Sequence, residues 1–254
     1  TETCPKLTLG DKLENYIIKH ADHVITHDEY HLNFLVTHLN VNKSKILTLP
    51  NGTLGEAKII DSTFLQKRLE LNRNDLVILH SGGVGPWFLC QELAASTVKW
   101  QNNWKLVFHA SHNIKTDPYA QELISESSTK NILFSLSPVA TNELDDLVGS
   151  AHIGVALYSI EKLGYRAEFM GLASGKIGNY LKCGVPVITS KIDSLKYIET
   201  YNCGVCVETA EDIYGAIEKI SSNYTLFSHN ALKCYNDLWK PNKSFQTILE
   251  ITNL

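Results

Sequence analysis

Short apolar runs alternate with longer stretches of amphipathic, helix-like periodicity along most of the chain. The apolar runs are rich in Val, Ile and Leu and predict eight strands, at residues 23–26, 45–49, 76–81, 105–110, 131–135, 152–157, 185–189 and 204–207. Between them, apolar positions recur with helical spacing at residues 85–100, 119–125, 141–150, 176–182, 194–201 and 210–221. This alternation is typical of βαβ units, so the sequence predicts an α/β fold built on a doubly wound, Rossmann-like parallel sheet.

The predicted strands are unevenly distributed, which indicates one large unit and one partial unit. Six of the eight follow residue 75, so residues 76–240 are expected to form the main domain. Residues 1–49 hold only two strands and two helices, which leaves sheet edges and apolar faces uncovered, so this segment must pack against more protein. The turn signal Pro50-Asn51-Gly52 opens a stretch at 50–75 that we interpret as an interdomain linker, and a final helix is expected at 241–254.

The composition is that of a globular chain, with 254 residues of which 44% are hydrophobic and 20% charged. Because 23 Lys and Arg face 27 Asp and Glu, the chain offers no basic field for a phosphate backbone, and nucleic acid is excluded as a partner. The six cysteines are scattered among apolar stretches, which favours a reducing, cytoplasmic location. No apolar run reaches the roughly 18 residues that span a bilayer, and a first residue other than Met indicates a piece of a longer protein.

A glycine-rich loop follows the predicted strand at 76–81 and precedes a predicted helix. Gly82 and Gly83 in this loop would let backbone N–H groups approach a phosphate, with the next helix N-terminus adding a favourable dipole. A tight turn between strand and helix explains the same glycines without any ligand. Both interpretations stay open at this point.

A second candidate loop enters the helix predicted at 176–182. Ser174, Gly175 and Lys176 bring a hydroxyl, free N–H groups and an ammonium to one helix start, which suits a diphosphate. Asn179 lies one turn further along the same face, where its amide could bind ribose hydroxyls. The alternative is a helix cap followed by a solvated lysine.

Four motifs, taken in order, resemble the glycosyltransferase group 1 family of the GT-B fold. They are Ala-Asp-His-Val-Ile-Thr at 21–26, Lys-Ile-Leu-Thr-Leu-Pro-Asn-Gly at 45–52, Ala-His-Ile-Gly-Val at 151–155 and Asn-Tyr-Leu-Lys-Cys-Gly-Val-Pro-Val-Ile at 179–188. The resemblance implies that 1–49 is a remnant of the acceptor domain, 50–75 the linker, 76–240 the domain that binds the sugar donor, and 241–254 a helix that crosses back to the acceptor side.

The resemblance also implies an activity, which is transfer of a hexose-like sugar from a nucleotide-diphosphate sugar, such as a UDP-sugar, to a hydroxyl group. The family needs no bridging metal and no cofactor beyond the nucleotide sugar, and the retaining stereochemistry common among its members would carry over by resemblance. A carbohydrate, a lipid-linked molecule or another hydroxyl compound would be the acceptor, and peripheral membrane contact through the absent acceptor domain is left open. The catalytic base should lie in that absent domain, so we name no catalytic residue and expect the chain alone to be inactive.

The family's donor site maps onto eleven positions of this sequence. The nucleobase would lie against 137–139, the phosphates would meet Lys176 and Arg166, and Glu168 either binds the sugar hydroxyls or is an exposed carboxylate. The full set is Gly82, Gly83, Ser137, Pro138, Val139, Arg166, Glu168, Ser174, Gly175, Lys176 and Asn179.

The chain departs from the family pattern where paired glutamates are usual. These positions fall on Gly171 and Asn179, and no Lys or Arg follows the glycine loop. Two other functions stay open. The loss of both glutamates favours a non-catalytic nucleotide-binding or scaffold protein of the same fold, whereas the scarcity of carboxylates here argues against the other alternative, a sugar-nucleotide epimerase. The pairs His27 with His31 and His109 with His112 lack a third ligand, so no metal site is predicted.

Overall fold

Six parallel strands form the main sheet of the structure, a computed structural model that describes residues 9–52, 55–127, 131–239 and 241–252. Their spatial order is β5-β4-β3-β6-β7-β8. The bounds are Leu76–Gly82 for β3, Trp104–Ala110 for β4, Ile132–Ser135 for β5, Ile153–Ala156 for β6, Val187–Ser190 for β7 and Gly204–Val207 for β8. Both faces of the sheet are covered, and for this reason the strands are near-continuous runs of apolar residues.

A separate two-stranded parallel sheet lies earlier in the chain, with β1 at Val24–Thr26 aligned to β2 at Ile46–Thr48. Helix α1 spans Leu9–His20 and α2 spans Glu29–Leu39. This first unit has a small core of its own, centred on Leu32, Leu35, Val41 and Ile46. All eight predicted strands are present, with ends that differ from the prediction by two residues at most.

Helices fill the connections of the main unit. They are α3 at Phe64–Arg68, α4 at Cys90–Ser96, α5 at Pro118–Glu126, α6 at Leu144–Gly149, α7 at Ile160–Leu163, α8 at Gly175–Lys182, α9 at Tyr197–Thr200, α10 at Ile213–Ser222, α11 at Tyr224–Leu238 and α12 at Pro241–Thr252. Helix α7 and the 3-10 turn Gly164–Phe169 that follows it are not predicted by the sequence pattern. None of the helices in the described ranges is both long and apolar enough to cross a bilayer.

The stretch at 55–75 packs on the main unit through α3. Leu65 is fully buried in the core, and its N–H donates to the Ser150 hydroxyl at 3.2 Å. Gln66 donates its side-chain amide to the Ser150 carbonyl at 2.9 Å. That helix α12 crosses back to the acceptor side stays a prediction.

The strand order determines where a ligand would bind. From β3 the chain proceeds outward through β4 to β5, and then returns to β6, next to β3, before proceeding through β7 to β8. The direction of winding therefore reverses between β3 and β6. Open parallel sheets bind ligands in the crevice at the carboxyl ends of the strands at such a reversal. The predicted doubly wound fold is confirmed, and this edge contains the glycine loop.

Candidate functional site

The ammonium group of Lys176 lies beneath the glycine loop at the start of α8. Its Nζ is buried and has no hydrogen-bond partner among the residues that the structure describes. It lies 4.0 Å from the centroid of the Phe88 ring, and a Cβ atom placed on Gly82 would be 3.8 Å from it. The alternative of a solvated lysine is therefore wrong. A buried cation without a partner is costly, and an anion at this position would offset that cost.

Burial changes the protonation chemistry of this cluster. It lowers the pKa of Lys176 to about 8 and raises the pKa of the nearby Cys90 thiol to about 11. His80, also fully buried, has a pKa well below its usual value because of burial and, next, the positive charge of Lys176. Its Nε2–H donates to the Gly83 carbonyl at 2.9 Å. Lys176 is therefore the group of this cluster that changes charge near neutral pH.

The glycine loop requires its glycines in this conformation. Gly82 has a φ of +121°, which strains any residue with a side chain. A Cβ atom on Gly83 would lie 2.8 Å from Cε2 of Phe88. The ring of Phe88 therefore packs against both the loop and Lys176, and the three form one continuous surface.

The loop at 171–175 leads into α8 and is held by the first part of the chain. Asn51 donates its backbone N–H to the Leu172 carbonyl at 2.8 Å and its side-chain amide to the Ala173 carbonyl at 3.0 Å. Ser174, the residue before α8, shares a hydrogen bond between its hydroxyl and that of buried Tyr158. Gly175 begins the helix beside the Asn51 amide.

Gly171 has no room for the glutamate that the family pattern would place there. A Cβ atom on Gly171 would lie 2.5 Å from Oδ2 of Asp28 and 2.9 Å from the Ser194 carbonyl. The carboxylate of Asp28 accepts the N–H of Leu172 at 3.0 Å. Sequence analysis missed Asp28, which in the structure is the residue before α2 and caps that helix. Asn179, the second vacant position, is half-buried on α8.

The proposed base-binding loop follows β5, two strands from the glycine loop. Ser137 and Pro138 are exposed, and Val139 packs partly against the core. The Ser137 carbonyl accepts a hydrogen bond from Arg68 Nη2 at 2.8 Å. Sequence analysis did not select Arg68 as a site residue.

His109, near the end of β4, is also part of this edge. Its Nδ1 lies 3.0 Å from the Ser135 hydroxyl. Burial, with the charge of Arg68, lowers the pKa of His109 to about 4, so its ring is neutral at pH 7. Sequence analysis considered His109 only as a metal ligand. Within the described residues, no group of three or more His, Cys, Asp or Glu side chains is assembled that could hold a metal ion.

Arg166 and Glu168 lie in the 3-10 turn Gly164–Phe169, and both are exposed. Arg166 contacts the ring of Tyr165, with 5.9 Å between the guanidinium carbon and the ring centroid. It lines a cavity of about 500 Å³ between this turn and the first unit. The opposite wall includes Glu14 and the ring of Phe34, which stacks on Tyr165. The structure thus brings Gly82, Gly83 and Lys176 together and places Arg166 in this inter-unit cavity.

No protein-family model and no curated protein matches the chain, but solved structures do. Sucrose-phosphate synthase from Thermosynechococcus elongatus matches with a TM-score of 0.71 and 16% identity over 95% of this chain and 60% of that one. HepE from Anabaena, in complex with UDP-glucose, matches with a TM-score of 0.69 and 15% identity over 94% of this chain and 66% of that one.

A shorter structure matches along most of its own length. The C-terminal domain of a glycosyl transferase group 1 family protein from Francisella tularensis matches with a TM-score of 0.52 and 15% identity, over 72% of this chain and 95% of that one. The chain thus spans about 60 to 66% of the two longer proteins. The chain has the GT-B fold of glycosyltransferases, and the resemblance to glycosyltransferase group 1 is confirmed at the level of the fold.

Proposed function

We propose that this chain binds a nucleotide-diphosphate sugar between the Gly82–Gly83 loop and the start of α8, as the donor-binding part of a glycosyltransferase. The observation that carries the proposal is the buried ammonium of Lys176, which lies beneath a glycine loop at the reversal point of the sheet and has no hydrogen-bond partner in the described part of the chain. A diphosphate there would supply the missing partner. The N-terminus of α8, eight residues long, adds backbone N–H groups and a favourable dipole.

The same positive groups would act in the reaction. As the bond to the sugar breaks, negative charge grows on the leaving diphosphate, and groups already oriented toward it stabilise the transition state. Lys176, the N–H of Gly175 and the α8 dipole provide this stabilisation without a bridging metal. Transfer with retention of configuration remains an implication of the family resemblance.

The rest of the donor would extend along the same edge of the sheet. The base would lie near 137–139, where backbone groups and Arg68 could bind it. The ribose would reach Asn179 on α8. Ser174 would contribute its hydroxyl after exchanging its bond to Tyr158.

The acceptor would approach from the side of the first unit. The cavity of about 500 Å³ between α2 and the turn Gly164–Phe169 has rings of Phe34, Tyr165 and Phe169 in its walls and Arg166 at its edge. Such a mixture of aromatic rings and hydrogen-bonding groups suits a carbohydrate acceptor. A base from the remaining acceptor domain would complete the site, so the chain alone should bind donor weakly and turn over little.

The alternative is a non-catalytic protein that binds nucleotides with the same fold. The closed packing of Gly171 against Asp28 favours it, because no carboxylate can enter the sugar site from position 171. Hydrolysis or transfer of the sugar by the longer protein separates the two functions, since both predict nucleotide binding and only the transferase predicts turnover.

A thermal-shift titration tests the proposed function. We expect uridine diphosphate or another nucleoside diphosphate, and its nucleotide sugars, to raise the melting temperature progressively with concentration, because a ligand that binds the folded state stabilises it. The matching nucleosides without phosphate serve as the control and should give little stabilisation. Absence of any shift with every nucleotide at millimolar concentration would contradict the proposal.

A further inference from the structure

The loop at 171–175, which precedes Lys176, belongs to the main unit and is hydrogen-bonded to residues of the first unit and of the turn that follows it. Three hydrogen bonds hold it there: the Leu172 N–H donates to the Asp28 carboxylate, the Asn51 backbone N–H donates to the Leu172 carbonyl, and the Asn51 side-chain amide donates to the Ala173 carbonyl. Their lengths lie between 2.8 and 3.0 Å. Asn51 is itself fixed, because its carbonyl accepts the indole N–H of Trp239 at 3.1 Å.

Asp28 makes this connection with a single buried carboxylate that is only 7% exposed. Oδ1 accepts the N–H of His31 at 3.0 Å and so caps α2, while Oδ2 accepts the N–H of Leu172 at the same distance. The first turn of α2 and the loop before α8 therefore share one side chain. The absence of a Cβ atom at Gly171 leaves the space that this carboxylate fills.

We propose that Asp28 in the first unit and Asn51 in the turn that follows it are positioning residues that set nucleotide affinity, by holding the loop at 171–175 in the conformation that aims the start of α8 and Lys176 at the diphosphate. The inference rests on the proposed function. Neither residue is among the groups proposed to contact the nucleotide. Their effect passes through the backbone of the loop, which ends at the residue next to Lys176.

The two residues would act by changing how often the loop adopts the conformation that can bind nucleotide. When the fastening bonds are lost, the loop samples other conformations, and the apparent dissociation constant rises in inverse proportion to the fraction that remains competent to bind. A hydrogen bond to a buried carboxylate is among the stronger ones in proteins. We expect its loss to weaken nucleotide binding by about tenfold.

The substitution Asp28→Ser separates this role from helix capping. Serine is a favourable N-cap and its hydroxyl can still accept the N–H of His31, but it offers no second oxygen to Leu172. The matched control is Asp117→Ser. Asp117 caps α5 through the N–H of Ala120 at 2.9 Å and makes no cross-unit bond to the loop at 171–175. Asn51→Ala removes the side-chain bond to Ala173 and serves as a second, independent variant.

Two measurements on each variant decide the matter: calorimetric titration with the nucleoside diphosphate, and amide hydrogen exchange of the free protein. Asp28→Ser and Asn51→Ala should weaken binding and speed exchange at 171–175 while β7 keeps its protection, whereas Asp117→Ser should change neither. General destabilisation would instead speed exchange in β7 as well, and would overturn the proposal.

The inference is also overturned if Asp28→Ser binds nucleotide as tightly as the unsubstituted protein and exchanges at 171–175 at the same rate. Failure of the proposed function is distinguishable from this outcome. If the unsubstituted protein binds no nucleotide, the proposed function falls. The exchange measurement then still confirms or overturns the fastening of the loop by Asp28.

Discussion

Lys176 should make nucleotide binding dependent on pH in a particular direction. Its pKa, lowered by burial to about 8, means that the ammonium is mostly charged at pH 7 and mostly neutral at pH 9. A bound diphosphate favours the charged form and raises this pKa, so binding above pH 8 must be accompanied by proton uptake. His80 stays neutral and Cys90 stays protonated over this range, because burial lowers the pKa of one and raises that of the other to about 11.

We therefore expect the affinity for a nucleotide sugar to fall about tenfold between pH 7 and pH 9. Calorimetric titration at both pH values, in buffers with different ionisation enthalpies, measures the affinity and the proton uptake together. In Lys176→Met the pH dependence should disappear. If the affinity of this variant still falls between pH 7 and pH 9, the titrating group is a residue other than Lys176.

Lys176 should also contribute more to binding than Asn179. A charge-assisted contact from Lys176 to a diphosphate contributes about 1.5 to 3 kcal/mol, whereas neutral hydrogen bonds from Asn179 contribute about 0.5 to 1.5 kcal/mol each. Lys176→Ala should therefore raise the dissociation constant several-fold to tenfold more than Asn179→Ala does. Higher salt should reduce only the Lys176 effect, because only that contact is ionic.

Titration of both variants at two ionic strengths tests this difference. The free protein provides an internal check. Removal of a buried cation that lacks a hydrogen-bond partner among the described residues should not lower stability, and Lys176→Met, whose apolar side chain can still pack on Phe88, is the suitable variant. Equal losses of affinity for the two alanine variants would mean that the phosphate site is elsewhere.

Individual site residues were predictable only where a local pattern marked them. Gly82, Gly83 and Lys176 lie directly at a strand end or a helix start, and the structure brings them together. Asp28 acts through a residue 144 positions away, which no local pattern reveals. The burial of the Lys176 ammonium against Phe88 likewise depends on tertiary packing, so the sequence alone allowed a solvated lysine.

At the scale of elements, strands were predicted better than helices. Each strand is a short apolar run with turn residues at its ends, so its bounds are marked in the sequence. The helix predicted at 85–100 is instead a 3-10 turn at Pro86–Phe88, helix α4 and a second 3-10 turn at Thr97–Lys99. The break lies at Leu89, whose φ of +50° is left-handed. Apolar periodicity continues through such a break because the same face stays buried.

Tyr180 joins α8 to the end of β3 and should be important for stability. The pairing of β3 with β6 ends at Leu79, and beyond it the Tyr180 hydroxyl accepts the N–H of Ser81 and donates to the Leu79 carbonyl, both at 2.8 Å. Tyr180→Phe leaves these buried backbone groups without that partner. We expect a loss of about 1 to 3 kcal/mol in the free energy of unfolding.

Urea denaturation followed by circular dichroism measures this loss. Tyr16→Phe, at a site 62% exposed on α1, is the matched control and should change stability little. A similar loss in both variants would show that the Tyr180 hydroxyl contributes nothing specific.

At the scale of the whole molecule, the two units are joined through the turn at Asn51. Asn51 directly follows the first unit and is held by two parts of the main unit: its side chain donates to the loop before α8, and its carbonyl accepts the Trp239 indole N–H. Trp239 is fully buried at the end of α11 and packs against Gly178 of α8, where any side chain would collide with the indole. The sequence predicted both units and the turn, but not this contact between residues far apart along the chain.

Trp239→Phe should therefore weaken the connection between the units as well as the main core. The smaller ring leaves a void against Gly178 and removes the donor to Asn51, which together should cost about 1 to 3 kcal/mol in the free energy of unfolding. Trp87→Phe, at a side chain 51% exposed, is the matched control, and its free energy of unfolding should stay within about 0.5 kcal/mol of that of the unsubstituted protein.

Urea denaturation followed by both circular dichroism and amide hydrogen exchange distinguishes the weakened connection between the units from the weakened main core. In Trp239→Phe, residues 24–48 of the first unit should lose protection at lower urea than β7, because Asn51 has lost one of the bonds that hold it to the main unit. If both regions still unfold together at the midpoint of the unsubstituted protein, Trp239 does not couple the units.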